Sequence, residues 1–181
     1  METPLRFNRQ DHPQVARLLD HCTALAGERE LPLAADFRPA DVRWAIGYIS
    51  IIDVLDHGED YRFRLFGSIC QSVYGADLTG IKLSEIEHRG DFVGVRENYN
   101  EVVRGRRPVY TASRFIWANG NKLSFGRLLI PFADENGEVC RILAAADCGM
   151  PGEDAMMLRG LGLPTMLQNG YAKGSRTPVS T

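Results

Sequence analysis

In the stretch KLSFGRLLIPF (122–132), strand alternation sets Leu123, Phe125, Arg127 and Leu129 on one face and Ser124, Gly126, Leu128 and Ile130 on the other. A guanidinium therefore stands among apolar neighbours, and inside a sheet it would demand an anion. Three arrangements meet that demand. Arg127 turns to solvent, pairs with a structural carboxylate such as Asp53, or grips a carboxylate or phosphate in a cavity through its two-pronged donor set. The other reactive side chains form no recognised constellation. The serines at 50, 68, 72, 84, 113 and 124 lie outside any G-x-S-x-G elbow, and neither H-E-x-x-H nor G-x-x-x-x-G-K-[ST] occurs. Cys22, Cys70, Cys140 and Cys148 are far apart, with no C-x-x-C pair and no histidine at ligand spacing. That pattern points to buried free thiols in a reducing compartment and to no metal site. A non-catalytic protein is expected, with a small hydrolase or isomerase as the alternative if distant residues converge in space.

At 181 residues the chain is long enough for one domain with a real core, and 44% hydrophobic with 24% charged residues is the composition of a folded globular protein. A net charge of -2, from 21 basic and 23 acidic residues, supplies no electrostatic reason to expect a nucleic-acid partner. The densest basic group, Arg104, Arg106 and Arg107, reads as a solvated loop. The opening METPLRFNRQDHPQ has neither a basic n-region nor an apolar h-region, and no run of about 18 apolar residues follows. The expected location is the cytoplasm, with no membrane partner.

The elements that must position Arg127 can be read from periodicity. Val15, Leu18, Leu19, Cys22 and Leu25 recur at helical spacing over 11–26, with Pro13 in the first turn and Gly27 at the end. A connector with a short helix near 39–46 follows. The segment 48–67 predicts a hairpin in which Tyr61, Phe63 and Leu65 alternate with water-facing Arg62 and Arg64. After Gly67 the period changes to that of a short helix ended by Gly75, and LTGIKLSEI adds another helical turn. A longer helix is predicted over 91–104, capped by Asp91, with Phe92, Val95, Tyr99, Val102 and Val103 on one face. Three strand-like runs separated by Asn119-Gly120-Asn121 and Asp134-Glu135-Asn136-Gly137 complete the body. This order predicts an α+β domain with one antiparallel sheet. Glycines 67, 75 and 80 are expected to turn the chain with positive φ, and Asp77 and Thr79 to cap the turns between them. Beyond residue 149, the last ten or so residues are expected to be mobile. The apolar group Met156, Met157, Leu158, Leu161, Leu163, Met166 and Leu167 is expected to dock on the core or on a neighbouring subunit.

Six stretches in order, LPLAADFRP (31–39), IIDV (51–54), YRFRLFG (61–67), YGADLTG (74–80), GRRPVY (105–110) and GRLLIPF (126–132), resemble the motif series of a bacterial stand-alone PAS domain family. The resemblance implies a PAS fold: a five-stranded antiparallel sheet with helices on one face, here preceded by an N-terminal amphipathic helix. The corresponding division is 1–30 for the N-terminal helix, 31–149 for the PAS domain and 150–181 for a partly disordered extension. It further implies a sensory or interaction role, and no particular ligand.

A haem in such a pocket would need an axial histidine near the long helix, yet 91–104 contains none and His88 lies outside it. A photoreactive flavin would need a cysteine in an N-C-R-F-L-Q-like helix, and Cys70 in SICQSVYG lacks that context. Both cofactors are argued against, and the cofactor question stays open. Phe63, Tyr74, Phe92, Tyr99 and Trp117 can line an enclosed apolar space, with Arg127 as its anion-binding group. The expected function is a non-catalytic sensory module that binds a small metabolite and signals through protein contacts. The alternative is an interaction-only adaptor, either a homodimer through the N-terminal helix or a module docking another partner. No kinase, cyclase or helix-turn-helix pattern follows the PAS-like region, so output is expected through a separate signalling protein.

Overall fold

The computed structural model describes residues 7–10, 12–88, 92, 94–116, 122–147 and 175–178. Its strands are β1 (Ile49–Leu55), β2 (Asp60–Phe66), β3 (Val109–Ile116), β4 (Lys122–Ala133), β5 (Val139–Asp147) and β6 (Ser175–Pro178). They form one antiparallel sheet in the order β2-β1-β5-β4-β3-β6. Its helices are α1 (Pro13–Ala26), α2 (Ser68–Tyr74), α3 (Leu83–Ile86) and α4 (Val95–Gly105).

The first five strands are those read from the sequence. The sixth differs, because residues 175–178 pair with β3 from Val109↔Pro178 to Ala112↔Ser175 within the tail expected to be mobile. The apolar group at 156–167 and the cap residue Asp91 lie outside the described residues. The long helix begins at Val95 with Gly94 in its N-cap position, so it is shorter than its apolar spacing suggests.

Period-2 alternation sends apolar side chains to both faces of the sheet, and each face has its own cover. On the outer face, Val15, Leu18, Leu19 and Cys22 of α1 bury themselves with Ile49, Ile51, Leu128, Ile130, Phe132 and Leu143. Burial pushes the Cys22 thiol up to about 12, as expected of a dry contact. The stripe that offered a dimer seam is thus occupied within the chain. His12, just before α1, contacts the Asp147 carboxylate, which also accepts a 3.3 Å hydrogen bond from the Tyr110 hydroxyl. On the inner face, α2, α3 and α4 cover Ile52, Tyr61, Phe63, Val109, Leu129 and Ile142.

A β-bulge modifies the expected alternation in β2. Ile51 faces Leu65 while Ile52 faces Phe63, which leaves Arg64 as the extra residue. Tyr61 and Phe63 accordingly point inward, but Leu65 packs with the outer cluster and Phe66 takes its place on the inner one. Arg62 and Arg64 are exposed as expected, and they share Asp53 with Arg141 at 3.6, 3.4 and 3.4 Å.

Arg96 fixes α4 to β2. Its guanidinium reaches Glu87 at 2.5 Å, the Glu59 carbonyl at 2.7 Å and Asp60 at 3.2 Å. Burial alone would raise the Asp60 carboxyl, but hydrogen bonds from the Ser84 hydroxyl, the Tyr61 and Ser84 amides and Arg96 outweigh it and hold the group below its ordinary value. A carboxyl lowered in the folded state stabilises fully above its unfolded value, and the contribution is lost as pH falls through the folded one. Asp60→Asn is therefore expected to cost about 1–2 kcal/mol at pH 7 in urea unfolding. The gap from wild type should close as pH falls through the lowered Asp60 value; a gap that persists in strong acid would show that shape, and not charge, makes the contribution.

Candidate functional site

Four of the five aromatic residues expected to line a site share the inner face. Phe63 on β2, and Phe92 and Tyr99 at α4 or just before it, are buried; Tyr74 at the end of α2 is half-buried against the same cluster. A run of edge-on rings links three of them through Phe66: Phe63 to Phe66 at 5.6 Å, Phe66 to Tyr74 at 6.1 Å and Tyr74 to Phe92 at 5.4 Å. Tyr99 stands apart from this run and packs on Tyr61 at 5.0 Å. The Tyr61 hydroxyl donates to Asn100 at 2.6 Å, and burial raises that phenol to about 12. Trp117 lies outside the described residues.

Arg127 also belongs to the inner face. Its strand neighbour Leu129 is in the inner cluster, while Leu128 and Ile130 are in the outer one. The register brings Arg127 opposite Thr111 of β3 and Ala146 of β5. Ser50, Ala144, Leu129 and Val109 form the adjoining row across the sheet. Above this region, burial lifts the Cys70 thiol of α2 over its ordinary value, opposed in part by a Ser50 hydrogen bond and by the positive charge of Arg127. Ser50 and Cys70 are therefore in contact, and the Arg127 charge is close enough to act on the thiol.

Of the three arrangements open to Arg127, pairing with Asp53 is not adopted. Asp53 lies on the outer face with Arg62, Arg64 and Arg141. Among the described residues no side chain forms an ion pair or hydrogen bond with the Arg127 guanidinium, although the residue is half-buried. The backbone carbonyl of Arg127 is the group engaged, 3.5 Å from the Thr111 hydroxyl.

One polar residue of this face was not singled out from the sequence. Asn98 is only 9% exposed and falls on the buried stripe of α4 with Val95, Tyr99 and Val102. Its Oδ1 has no hydrogen-bond partner among the described residues. The signal was available in the spacing, since Asn98 is three residues after Val95 and four before Val102.

The YGADLTG junction turns the chain. The Asp77 carboxylate accepts from the Thr79 amide at 2.9 Å and from its hydroxyl at 2.7 Å, and Gly75 and Gly80 have φ of 87° and 88°. Gly67 departs from the expectation, because its φ is -61°. Its lack of a Cβ serves a close approach: an added Cβ would lie 2.5 Å from the Gly47 carbonyl oxygen and 2.6 Å from those of Ile46 and Ile49.

Among the described residues, no group of three or more His, Cys, Asp and Glu side chains could hold a metal ion. No helix among them is long and apolar enough to cross a membrane. What the inner face offers, among the described residues, is the half-buried Arg127, the unsatisfied Asn98 acceptor and the edge-on aromatic run from Phe63 to Phe92.

The five antiparallel strands β2-β1-β5-β4-β3, with α2, α3 and α4 over the inner face, give the five-stranded sheet expected from the motif series, in an order the sequence did not specify. A family model described as a PAS domain matches residues 10–146, and the chain belongs to that family. The matched span includes α1. No curated protein matches the chain. Among solved structures, it is similar to VqmA bound to DPO, with a TM-score of 0.44, 12% identity, and coverage of 66% of this chain and 60% of that one. It is also similar to a Vibrio cholerae VqmA dimer in the absence of target DNA, with a TM-score of 0.44, 12% identity and coverage of 67% and 56%. An RNA-binding light-oxygen-voltage receptor is similar with a TM-score of 0.44, 14% identity and coverage of 76% and 38%. The chain thus spans less than two thirds of each of these proteins.

Proposed function

We propose that this PAS domain is a cytoplasmic, non-catalytic sensory module that holds a small anionic metabolite between its sheet and α4 and signals through contact with a separate protein. The observation that carries this reading is the half-buried Arg127, which occupies an inner position of β4 and whose guanidinium has no ion-pair partner among the described residues. A cation removed from water is costly unless paired, and an Arg presents two parallel donors suited to a carboxylate or phosphate. Phe63, Phe66, Tyr74 and Phe92 supply the apolar wall that such a site needs.

Native mass spectrometry of protein purified without denaturation tests the reading. A co-purifying small anion is expected on the wild type and should be absent from Arg127→Gln. Without ligand, that substitution removes an unpaired charge, so its stability is expected within about 0.5 kcal/mol of wild type or above it. A native mass equal to that of the polypeptide, together with no thermal shift from a library of carboxylates and phosphates, would overturn the reading.

A further inference from the structure

We infer that Asn98 and Arg127 are the two polar ends of one interior site, built for an apolar carboxylic acid that also carries a hydroxyl or amino donor. The inference rests on the proposed ligand-binding reading and specifies its ligand. Val95 and Val102, which flank Asn98 on its helical face, lie in the same cluster as Val109 and Leu129. The next inward positions beyond Val109 and Leu129 along their strands are Thr111 and Arg127, about 7 Å further on. A six-atom arginine side chain is long enough to cover that span, which lets the guanidinium share one space with Asn98.

The two groups ask for opposite partners. Arg127 has only donors and calls for an anion. The Asn98 Oδ1 is an acceptor, buried and unsatisfied among the described residues, and calls for an O–H or N–H. A simple anion such as phosphate in its fully ionised form, or an unsubstituted fatty acid, leaves Oδ1 without a partner. Between the two polar ends, the inner positions Val109, Leu129 and Ala144 of β3, β4 and β5 are all apolar. The body of the ligand is therefore apolar.

The test is isothermal titration of the full chain with two matched pairs of acids that differ only in one hydroxyl: phenyllactate with 3-phenylpropionate, and 2-hydroxy-4-methylpentanoate with 4-methylpentanoate. The wild type is expected to bind each hydroxy acid about tenfold or more tightly than its deoxy partner, because the deoxy acid leaves a buried acceptor unpaired. Arg127→Gln should weaken both members of a pair by a similar factor, at least about tenfold. Asn98→Leu should bring the hydroxy-to-deoxy ratio to about one while leaving the affinity for the deoxy acid within about twofold, with unchanged or raised thermal stability of the free protein. A ratio that survives Asn98→Leu would overturn the two-point site while leaving the anion-binding reading in place. Absence of binding by all four acids would overturn it too, and the co-purified anion then decides the broader reading separately.

Discussion

Gly67→Ala is expected to lower stability by about 3–4 kcal/mol, a large part of what a domain of this size has to lose. The backbone at Gly67, with φ of -61° and ψ of 152°, is open to any residue, so conformational strain contributes nothing. The cost is steric. A Cβ would sit 2.5–2.6 Å from three backbone carbonyl oxygens, and backbone cannot rotate away as a side chain would. The same residue donates its amide to Ile49 at 2.9 Å and accepts from Gln71 at 2.8 Å, so moving it disturbs the end of β2, the start of β1 and the first turn of α2 together. Gly75→Ala provides the contrast, since φ there is 87° but nothing lies within 4 Å of the added methyl. That change should cost about 1 kcal/mol, for a left-handed residue with a side chain. Urea unfolding of both variants checks the order. If Gly75→Ala proved the more damaging, the packing of the strand-to-helix junction described above would be wrong.

These two glycines also show where sequence reasoning stops. A glycine at the end of a helical period signals a left-handed turn, and Gly75 obeys it. A glycine demanded by atoms that arrive from another part of the chain gives no local signal, and the carbonyls against Gly67 belong to residues 46, 47 and 49. The strands themselves were legible because alternation and turn chemistry are local. The Asp134 carboxylate, for example, accepts from the amides of Asn136 and Glu138 at 2.9 Å each, as an Asx turn requires. The bulge at Arg64 was not legible, since an extra residue is defined only against its partner strand. It exchanged Leu65 for Phe66 on the inner face and thereby lengthened the aromatic wall. Asn98 is hidden for a different reason: a single polar residue on an apolar stripe leaves the helical periodicity intact and gives no signal beyond its spacing. The face of Arg127 was legible from alternation alone. Its lack of a carboxylate partner among the described residues depends on Asp53 lying on the opposite face, which the sequence alone does not reveal.

Leu19→Asp should be the most damaging single change in the N-terminal helix, lowering stability by about 5 kcal/mol and leaving a measurable unfolded fraction without denaturant. Leu19 is 1% exposed, like Leu18 and Cys22, and all three lie in the cluster with Leu128, Ile130, Phe132 and Leu143. The substitution removes the buried leucine and strands a carboxylate where no described residue of that cluster offers a positive charge. Thr23→Asp, on the exposed side of the same helix, should shift stability by no more than about 0.5 kcal/mol. The pair of variants separates two roles for α1. A helix that completes the outer core makes the whole domain sensitive to position 19. A helix reserved for a second protein would respond to Leu19→Asp with a change in oligomeric state and an unmoved urea midpoint, and that result would remove α1 from the domain core. The first outcome would mean that α1 and α4 grip opposite faces of one sheet, with Leu128 and Ile130 of β4 beneath α1 and Leu129 beneath α4.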